Sequence, residues 1–295
     1  MNEFKTYHPV INFTYFVFVI GFGCFFMNPV CLVISLFSGF AYSVMLKGIK
    51  AVRKNLIYML PMIIIMALMN PLFNHQGITI INYFPNGNPL TLEAIIYGIC
   101  TAFMIASVIC HFSCYNEIMT SDKFIYLFGR IIPSMSLIIS MTLRFVPRFC
   151  AQLKVTADTL KCMGRDVTKG SVIKRAGYGL NILSVMTSWA LENSIETADS
   201  MKSRGYGLPG RTAFSVFIFD KRDRNALIFI MASAIYTLIG YLAGSMYFNF
   251  FPYIKWADMS IYGVSVFISH ALFCMCPIII EIREVRRWKV SERRI

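Results

Sequence analysis

The chain has 295 residues, of which 57% are hydrophobic and only 15% are charged. Soluble proteins carry about a quarter charged residues, so this composition excludes an ordinary soluble domain and favours a surface in contact with lipid. The net charge of +13 comes from Lys and Arg residues that cluster between long uncharged runs. This uneven distribution is typical of cytoplasmic loops in membrane proteins and argues against a nucleic-acid-binding protein.

The N-terminal part of the chain contains four apolar stretches. Residues 10–46 carry no charge and are long enough for two spanning helices of about 20 residues each. The turn between them is expected at Asn28-Pro29, because the residue before a proline avoids the helical conformation. A third span is expected over residues 56–73 and a fourth over 92–115. The first run is also too long for a cleaved signal peptide.

The next segment, residues 116–225, holds 16 Lys and Arg residues and nine Asp and Glu residues. It is too long and too regularly patterned for a plain connecting loop. The pattern predicts a helix over residues 124–145 that lies along the membrane surface with its apolar face inward. Pro147 is expected to kink or restart the chain. A second helix is predicted over 147–163 and a third over 172–203.

Two further spans are expected over residues 226–248 and 259–280, followed by a basic tail. Basic and charge-poor connectors alternate along the chain, so the positive-inside rule places both termini in the cytoplasm. The sequence therefore predicts an all-α integral protein of the plasma membrane with about six transmembrane helices. Its expected divisions are an N-terminal membrane bundle (1–115), a cytoplasmic helical region (116–225), two C-terminal membrane helices (226–282) and a basic cytoplasmic tail (283–295).

Two of the predicted cytoplasmic helices end in similar short motifs. In each, a small residue is followed by an Arg at the helix C-terminus, where the helix dipole favours a cation. A single such Arg is most simply a charged cap, but two in one region favour a shared role in binding carboxylates of a partner. The motifs are Gly164-Arg165-Asp166 and Ser203-Arg204-Gly205, in which Gly205 can supply a left-handed cap.

These features resemble the T component of energy-coupling factor (ECF) transporters, a family related to the membrane subunit of cobalt and nickel uptake systems. The marker of that family is a pair of small-residue–Arg–Gly motifs at the ends of long coupling helices. The second motif fits this marker closely, whereas the first has Asp166 where Gly is usual. The resemblance covers most of the chain, and it also rests on His8-Pro9, on Leu143-Arg144-Phe145-Val146-Pro147, and on residues 201–207 followed by Gly210-Arg211-Thr212.

The resemblance implies a non-catalytic scaffold. Its coupling helices would dock through the arginines onto two ABC-type ATPase subunits, and its membrane helices would hold a small membrane subunit that captures a vitamin or a metal ion. The chain itself would hydrolyse no ATP, and it lacks the G-x-x-x-x-G-K-[ST] phosphate loop; no cofactor is implied. Residues expected to couple to the ATPases are Gly164, Arg165, Ser203, Arg204 and Gly205, with coupling-helix support from Arg144, Pro147, Glu192 and Arg211.

Other classes stay open at this point, namely a stand-alone channel or secondary transporter and an intramembrane enzyme. Intramembrane enzymes usually have polar or ionisable groups in their spans, and a proton-coupled secondary transporter needs a mid-membrane Asp, Glu or Lys. The first three spans have no charged residue. The segment Cys110–Cys114 and the pair His270 and Cys274 contain metal-ligand types, but their apolar neighbours favour packing over a four-ligand zinc site. The acidic side chains of Glu192, Glu196 and Asp199 are typical of a solvated helix face.

Overall fold

A computed structural model describes residues 3–83, 85, 87–129, 133–168, 171–208, 217–257 and 260–292. Helices dominate these residues, and two small antiparallel hairpins accompany them. The all-α membrane class expected from composition is confirmed. The chain divides into two compact units, which we call the membrane unit (Met1–Phe124 with Phe217–Ile295) and the coupling unit (Ile125–Val216).

The membrane unit contains most of the helices, and the boundary between the units falls inside α6. Its elements are α1 Glu3–Thr6, α2 Pro9–Phe25, α3 Pro29–Lys47, α4 Ile49–Phe73, β1 Ile80–Tyr83, β2 Pro89–Thr91, α5 Leu92–Ile118, α6 Ser121–Gly129, α9 Lys221–Leu242, β3 Phe248–Asn249, β4 Lys255–Trp256, α10 Ile261–Cys274 and α11 Cys276–Glu292. The coupling unit contains α7 Pro133–Cys162 and α8 Val172–Ser203.

Proline starts the first two long helices. Pro9 and Pro29 occupy the first position of α2 and α3, where a missing backbone N–H costs nothing. The residue before each proline caps the helix: His8 Nδ1 accepts from the Val10 N–H at 3.3 Å, and Asn28 Oδ1 accepts from the Val30 N–H at 3.0 Å. The predicted turn at Asn28-Pro29 is therefore confirmed.

The central helix of the membrane unit is α5, against which α2, α3 and α4 all pack. Its 27 residues correspond to a length of about 40 Å, more than the roughly 30 Å hydrocarbon core of a bilayer. Its C-terminal half enters the main apolar core with Cys114 and Ile118, beside aromatic side chains of α1 and α2 such as Phe4 and Phe16. Because α5 is long enough to cross the bundle, its two ends lie at opposite faces of it.

Gly98 lets α4 approach α5 closely. A Cβ atom at this position would lie 2.8 Å from the Ala67 carbonyl oxygen and 3.1 Å from Asn70 Cβ, so α4 would have to move. We expect Gly98→Ala to destabilise the protein by about 1 to 3 kcal/mol, the usual range for overpacking, measured by thermal unfolding in detergent. Gly21→Ala is the matched control, because a Cβ there meets nothing within 4 Å; an equal loss in both variants would contradict the close-contact explanation.

Within the described residues, four helices are long and apolar enough to cross a membrane: α3, the Leu56–Phe73 part of α4, α5 and α9. The fifth candidate is the pair α10 and α11, which is bent by 58°. Helix α2 is apolar but has only 17 residues, the lower limit for a span. The span expected over residues 259–280 falls on this pair and is broken at Met275, and Met259 lies outside the described residues.

The physical reason for that break is Pro277, the second residue of α11. It has no N–H to offer the preceding turn, and the residue before it disfavours the helical region. The Tyr15 hydroxyl donates to the Cys274 carbonyl at 2.9 Å, which satisfies a backbone group at the break. A hydrogen bond from a neighbouring helix is what makes such a break tolerable inside a membrane.

In the coupling unit, the prediction that a separate helix starts at Pro147 is wrong. Pro147 lies inside helix α7, and residues 121–129 form the separate short helix α6. The missing N–H of Pro147 removes one hydrogen bond, to the Leu143 carbonyl, from a helix of 30 residues. Both residues are exposed, so that carbonyl can be satisfied by water or lipid headgroups. The prediction of a long helix over 172–203 is confirmed.

Candidate coupling site

Helix α7 ends in a Schellman cap. Gly164 takes a positive φ of 78°, the left-handed conformation that favours glycine. Its N–H donates to the Lys161 carbonyl at 3.0 Å, and the Arg165 N–H donates to the Leu160 carbonyl at 2.9 Å. These two bonds are the defining pair of this cap, so the backbone around Arg165 is held by hydrogen bonds of the chain itself.

Helix α8 ends in the same way. Gly205 has a φ of 75°, its N–H donates to the Lys202 carbonyl at 2.9 Å, and the Tyr206 N–H donates to the Met201 carbonyl at 3.0 Å. Arg204 is the last residue before this glycine and forms the C-cap of α8. The left-handed cap expected at Gly205 is confirmed.

When the two caps are aligned on their glycines, the two arginines fall at different positions relative to the glycine. Arg204 immediately precedes its glycine, whereas Arg165 immediately follows Gly164. The residue equivalent to Arg204 in the first cap is Met163, whose side chain is 68% exposed. Each helix end therefore presents a cation beside the cap, but the two cations leave the backbone from different positions.

Both guanidinium groups are accessible. Arg165 and Arg204 are exposed, and within the part of the chain that the structure describes neither side chain forms a hydrogen bond or an ion pair. Asp166, which follows Arg165, is held in a local turn: its Oδ1 accepts from the Thr168 N–H at 2.9 Å and from the Thr168 hydroxyl at 2.7 Å. An exposed cation on a fixed backbone suits the recognition of a carboxylate.

Helices α7 and α8 contact each other at a point far from the capped end of α8. Buried Thr156 on α7 lies 3.8 Å, oxygen to sulfur, from buried Met186 on α8. The Phe149 and Trp189 rings meet edge to face at 5.8 Å, and the Arg148 guanidinium lies 6.0 Å from the Trp189 ring centre. The contact at Met186 is about 25 Å along α8 from its last residue, so the end of α8 projects well beyond the crossing.

The remaining predicted site residues lie on exposed surfaces. Arg144 and Pro147 are exposed on α7, and Glu192 is exposed on α8. The Ser203 hydroxyl donates to the Ser200 carbonyl at 2.9 Å within its own helix. Arg211 lies outside the described residues. The structure thus places the two motif regions at capped helix ends and brings none of the three described support residues into contact with either cap.

The coupling unit also exposes much apolar surface. Several aliphatic side chains are more than half exposed, and among the described residues of this unit only Thr156, Met186 and Asn193 are buried. Patches of this kind are typical of surfaces that contact protein or lipid. The exposed aliphatic residues are Ile138, Val146, Val155, Val172, Ile173, Leu180, Leu183, Leu191, Ile195 and Leu208.

The two histidines among the metal-ligand types noted in the sequence form local hydrogen bonds. His111 Nδ1 lies 2.9 Å from the Ser107 carbonyl, one turn earlier in α5. His270 Nε2 lies 3.6 Å from Cys274 Sγ, one turn later in α10. Among the residues that the structure describes, no group of three His, Cys, Asp or Glu side chains is arranged to hold a metal ion.

A polar cluster that we did not single out from the sequence lies where the chain leaves and re-enters the membrane unit. We call residues 3–12 the N-terminal anchor. On the leaving side, Lys123 Nζ donates to the Lys5 carbonyl. With the Asn12 amide oriented to satisfy its neighbours, its Oδ1 accepts from Lys123 Nζ at 2.8 Å and its Nδ2 donates to the Phe4 carbonyl at 3.0 Å.

On the re-entering side, the same anchor contacts the start of α9. Asp223 is buried, and its Oδ1 accepts from the His8 N–H at 3.5 Å while its Oδ2 accepts from the Asp220 N–H at 3.2 Å. The His8 ring also lies 5.2 Å from the Phe219 ring. The Arg222 guanidinium lies 4.3 Å from the Tyr7 ring centre. The anchor therefore fixes both chain connections to the coupling unit.

Burial lowers the pKa of Lys123 to about 8, and the positive charge of Lys5 acts in the same direction. Because a lysine of the unfolded chain keeps its pKa near 10.5, the unfolded chain binds more protons than the folded one between these two values, and stability rises with pH through that window. We therefore expect the melting temperature of the wild type, relative to that of Lys123→Met, to rise as the pH is raised from about 7.5 to about 10. A pH-independent difference would contradict this.

Fold and site together define an all-α integral membrane protein with a second helical unit that ends in two glycine-capped, arginine-bearing tips. A comparison with models of known protein families gives no match. Two curated proteins are similar, each named energy-coupling factor transporter transmembrane protein EcfT. The one from Lactobacillus helveticus (strain DPC 4571) is 33% identical over 101 residues, which are 34% of this chain and 36% of that protein.

The second is from Streptococcus thermophilus (strain ATCC BAA-250 / LMG 18311) and is 29% identical over 97 residues, 32% of this chain and 37% of that protein. The aligned segment therefore spans just over a third of the length of each relative. The chain is EcfT-like, and the resemblance to the T component of ECF transporters stated from the motifs is confirmed at this level.

Proposed function

We propose that this chain is the transmembrane scaffold subunit of an ECF-type ABC importer in the plasma membrane. Its coupling unit binds two ABC-type ATPase subunits, and its membrane unit holds a small membrane subunit that captures a vitamin or a metal ion. ATP hydrolysis takes place in the ATPases, so the chain itself has no catalytic residue. The observation that carries the proposal is the pair of matching Schellman caps, each beside an exposed arginine, at the ends of two long helices.

The geometry suits the transmission of force. Each cap fixes the backbone from which its arginine projects, so a movement of the bound ATPase is passed to the helix rather than absorbed by a loose loop. The crossing at Thr156 and Met186 joins the two helices, so a displacement of α8 also acts on α7. Exposed methionine at Met163 gives an adaptable surface for partners that change position.

Co-purification tests this function. The affinity-tagged chain is expressed with the ATPase pair encoded in the same genome and extracted in mild detergent. We expect both ATPases to elute with the chain in stable proportion, together with a small membrane subunit when one is co-expressed. Ion or solute flux through the purified chain alone in liposomes without ATP, with no ATPase bound, would instead support a stand-alone channel or secondary transporter.

The proposed topology places both termini and the coupling unit in the cytoplasm, and Cys162 reports on it. Cys24, Cys150 and Cys162 are exposed, whereas the other six cysteines are buried. In a Cys24→Ser/Cys150→Ser variant, we expect a membrane-impermeant maleimide to label Cys162 in inverted vesicles and not in intact cells. Labelling in intact cells would contradict the proposed orientation but would not bear on the helical fold.

A further inference from the structure

Both hairpins of the membrane unit lie at the face where α5 begins. The β1–β2 hairpin leads directly into α5, and the Thr79 hydroxyl donates to Glu93 Oε1 at 2.8 Å in the first turn of that helix. Near the β3–β4 hairpin, the Phe250 and Phe251 rings lie 5.1 and 5.4 Å from the ring of Tyr97. The N-terminal anchor and both connections to the coupling unit are at the other end of α5, beside Ile118.

The first hairpin is uncharged, and its β1 strand is exposed and mainly apolar. All four residues of β1 are exposed, and Tyr83 is 62% exposed. Residues 74–91 contain no Asp, Glu, Lys or Arg, so no charge opposes contact with lipid. Hydrogen bonds hold the hairpin in place. Both Oε atoms of Glu93 accept from the Thr79 N–H, at 3.2 and 3.3 Å, and the Thr91 hydroxyl donates to the Gln76 carbonyl at 2.8 Å.

The second hairpin is aromatic. Tyr247, Tyr253 and Trp256 are between 45% and 56% exposed, and Trp256 packs one side of its ring against Phe248 at 5.3 Å. The Lys255 ammonium lies 4.7 Å from the Tyr253 ring centre. Exposed Tyr and Trp beside a lysine are the side chains that membrane proteins concentrate at the level of the lipid headgroups.

Two physical limits fix the depth of such hairpins. Each has only two strands, so their outer edges leave backbone N–H and C=O groups that hydrocarbon cannot satisfy. Their exposed Ile, Tyr and Trp side chains are, in turn, unfavourable in open water. The boundary between headgroups and acyl chains satisfies both requirements. It also continues the lipid-facing surface of α4, whose last residue, Phe73, is 75% exposed.

We propose that the two hairpins form an interfacial collar, made of residues 78–83 and 247–256, that lies in the headgroup–acyl boundary of the leaflet opposite the connections to the coupling unit. The collar fixes the depth and tilt of α4, α5, α9 and α10 in the membrane. The molecules that contact the collar are phospholipids and not a protein subunit. The inference depends on the membrane fold and is independent of the proposed ATPase and capture partners.

The native tryptophans provide the test. The chain has three, at positions 189, 256 and 288, so Trp189→Phe/Trp288→Phe leaves Trp256 as the single reporter of the second hairpin. Adding Trp256→Phe and Tyr83→Trp moves the reporter to the first hairpin. The matched control is Ile64→Trp in the chain with all three native tryptophans replaced by Phe. Ile64 lies in the middle of the span of α4 and is 49% exposed. Each purified variant is reconstituted in phosphatidylcholine vesicles.

Quenching by phosphatidylcholine brominated near the headgroup end or near the methyl end of its acyl chains then measures depth. For both collar reporters we expect the shallow bromines to quench several-fold better than the deep ones, with the order reversed for Ile64→Trp. Aqueous iodide should quench the collar reporters several-fold less than free tryptophan amide. Full iodide quenching with no bromolipid effect would overturn the proposal, and so would protection from both quenchers, which would mean that protein covers the collar.

Discussion

Charge reversal at Arg204 is expected to abolish attachment of the ATPase pair. The guanidinium projects from a backbone position that the Gly205 cap fixes, and Glu at this position replaces attraction to a partner carboxylate by repulsion. Losing a hydrogen-bonded charge pair at an interface costs about 2 to 5 kcal/mol, which corresponds to at least about a 30-fold weaker association. The measurement is the amount of ATPase that co-purifies with Arg204→Glu relative to the wild type.

The matched control for that reversal is Arg224→Glu. Arg224 is also exposed, and Arg224→Glu changes the net charge by the same amount as Arg204→Glu. Arg224 lies at the start of α9 and not at a capped tip of the coupling unit, so the Arg224→Glu variant should retain the ATPases. Arg165→Glu should weaken attachment less than Arg204→Glu, because Arg165 follows its glycine and is succeeded by the acidic Asp166. Wild-type levels of ATPase on Arg204→Glu, with normal membrane insertion, would contradict the assigned role.

Removal of the buried carboxylate of Asp223 is expected to be the most damaging change within the membrane unit. Asp223 accepts hydrogen bonds from the His8 and Asp220 N–H groups and completes the capping box that starts α9. Asp223→Ala leaves these donors without their acceptor in a buried site, which costs about 1 to 3 kcal/mol in addition to the loss at the helix start. Thermal unfolding in detergent measures this effect.

A same-type substitution at an exposed site separates the buried contact from a general effect of Asp→Ala. Asp158 is exposed on α7, and Asp158→Ala should leave the melting temperature unchanged or slightly higher, since Ala is the better helix former. Because the N-terminal anchor fixes the chain connections to the coupling unit, Asp223→Ala should also expose residues 3–12 to added protease. Equal stability of the two variants would show that the anchor contributes nothing to the fold.

The apolar runs predicted the fold class and most helix positions, because length and hydrophobicity dominate the placement of spans. Local chemistry also predicted the break at Asn28-Pro29, where the proline starts a helix and the asparagine caps it. The same reasoning failed at Pro147, which sits inside α7, and missed the break before Pro277. A proline costs a helix one hydrogen bond in either setting, so its outcome depends on whether surrounding groups compensate, and those are not visible in the local sequence.

At the candidate site, the glycine and arginine pattern predicted the cap of α8 correctly. It could not determine that Gly164 also takes the left-handed position and so shifts Arg165 relative to Arg204, because the register of a cap is set by the last hydrogen bonds of its helix. The N-terminal anchor was missed for a different reason. It unites His8 with Asp223, 215 positions apart, and no local pattern marks Lys123 or Asp223 as buried.

Photo-cross-linking from the tip of α8 tests the central claim most directly, namely that this tip binds an ATPase in the assembled transporter. Ser203→benzoylphenylalanine places the cross-linker beside Arg204 without removing the guanidinium or the glycine cap. On irradiation of native membranes, we expect a covalent product with an ATPase subunit that disappears when Arg204→Glu is added. A cross-link only to lipid or to the chain itself, in membranes where both ATPases are present, would contradict the claim.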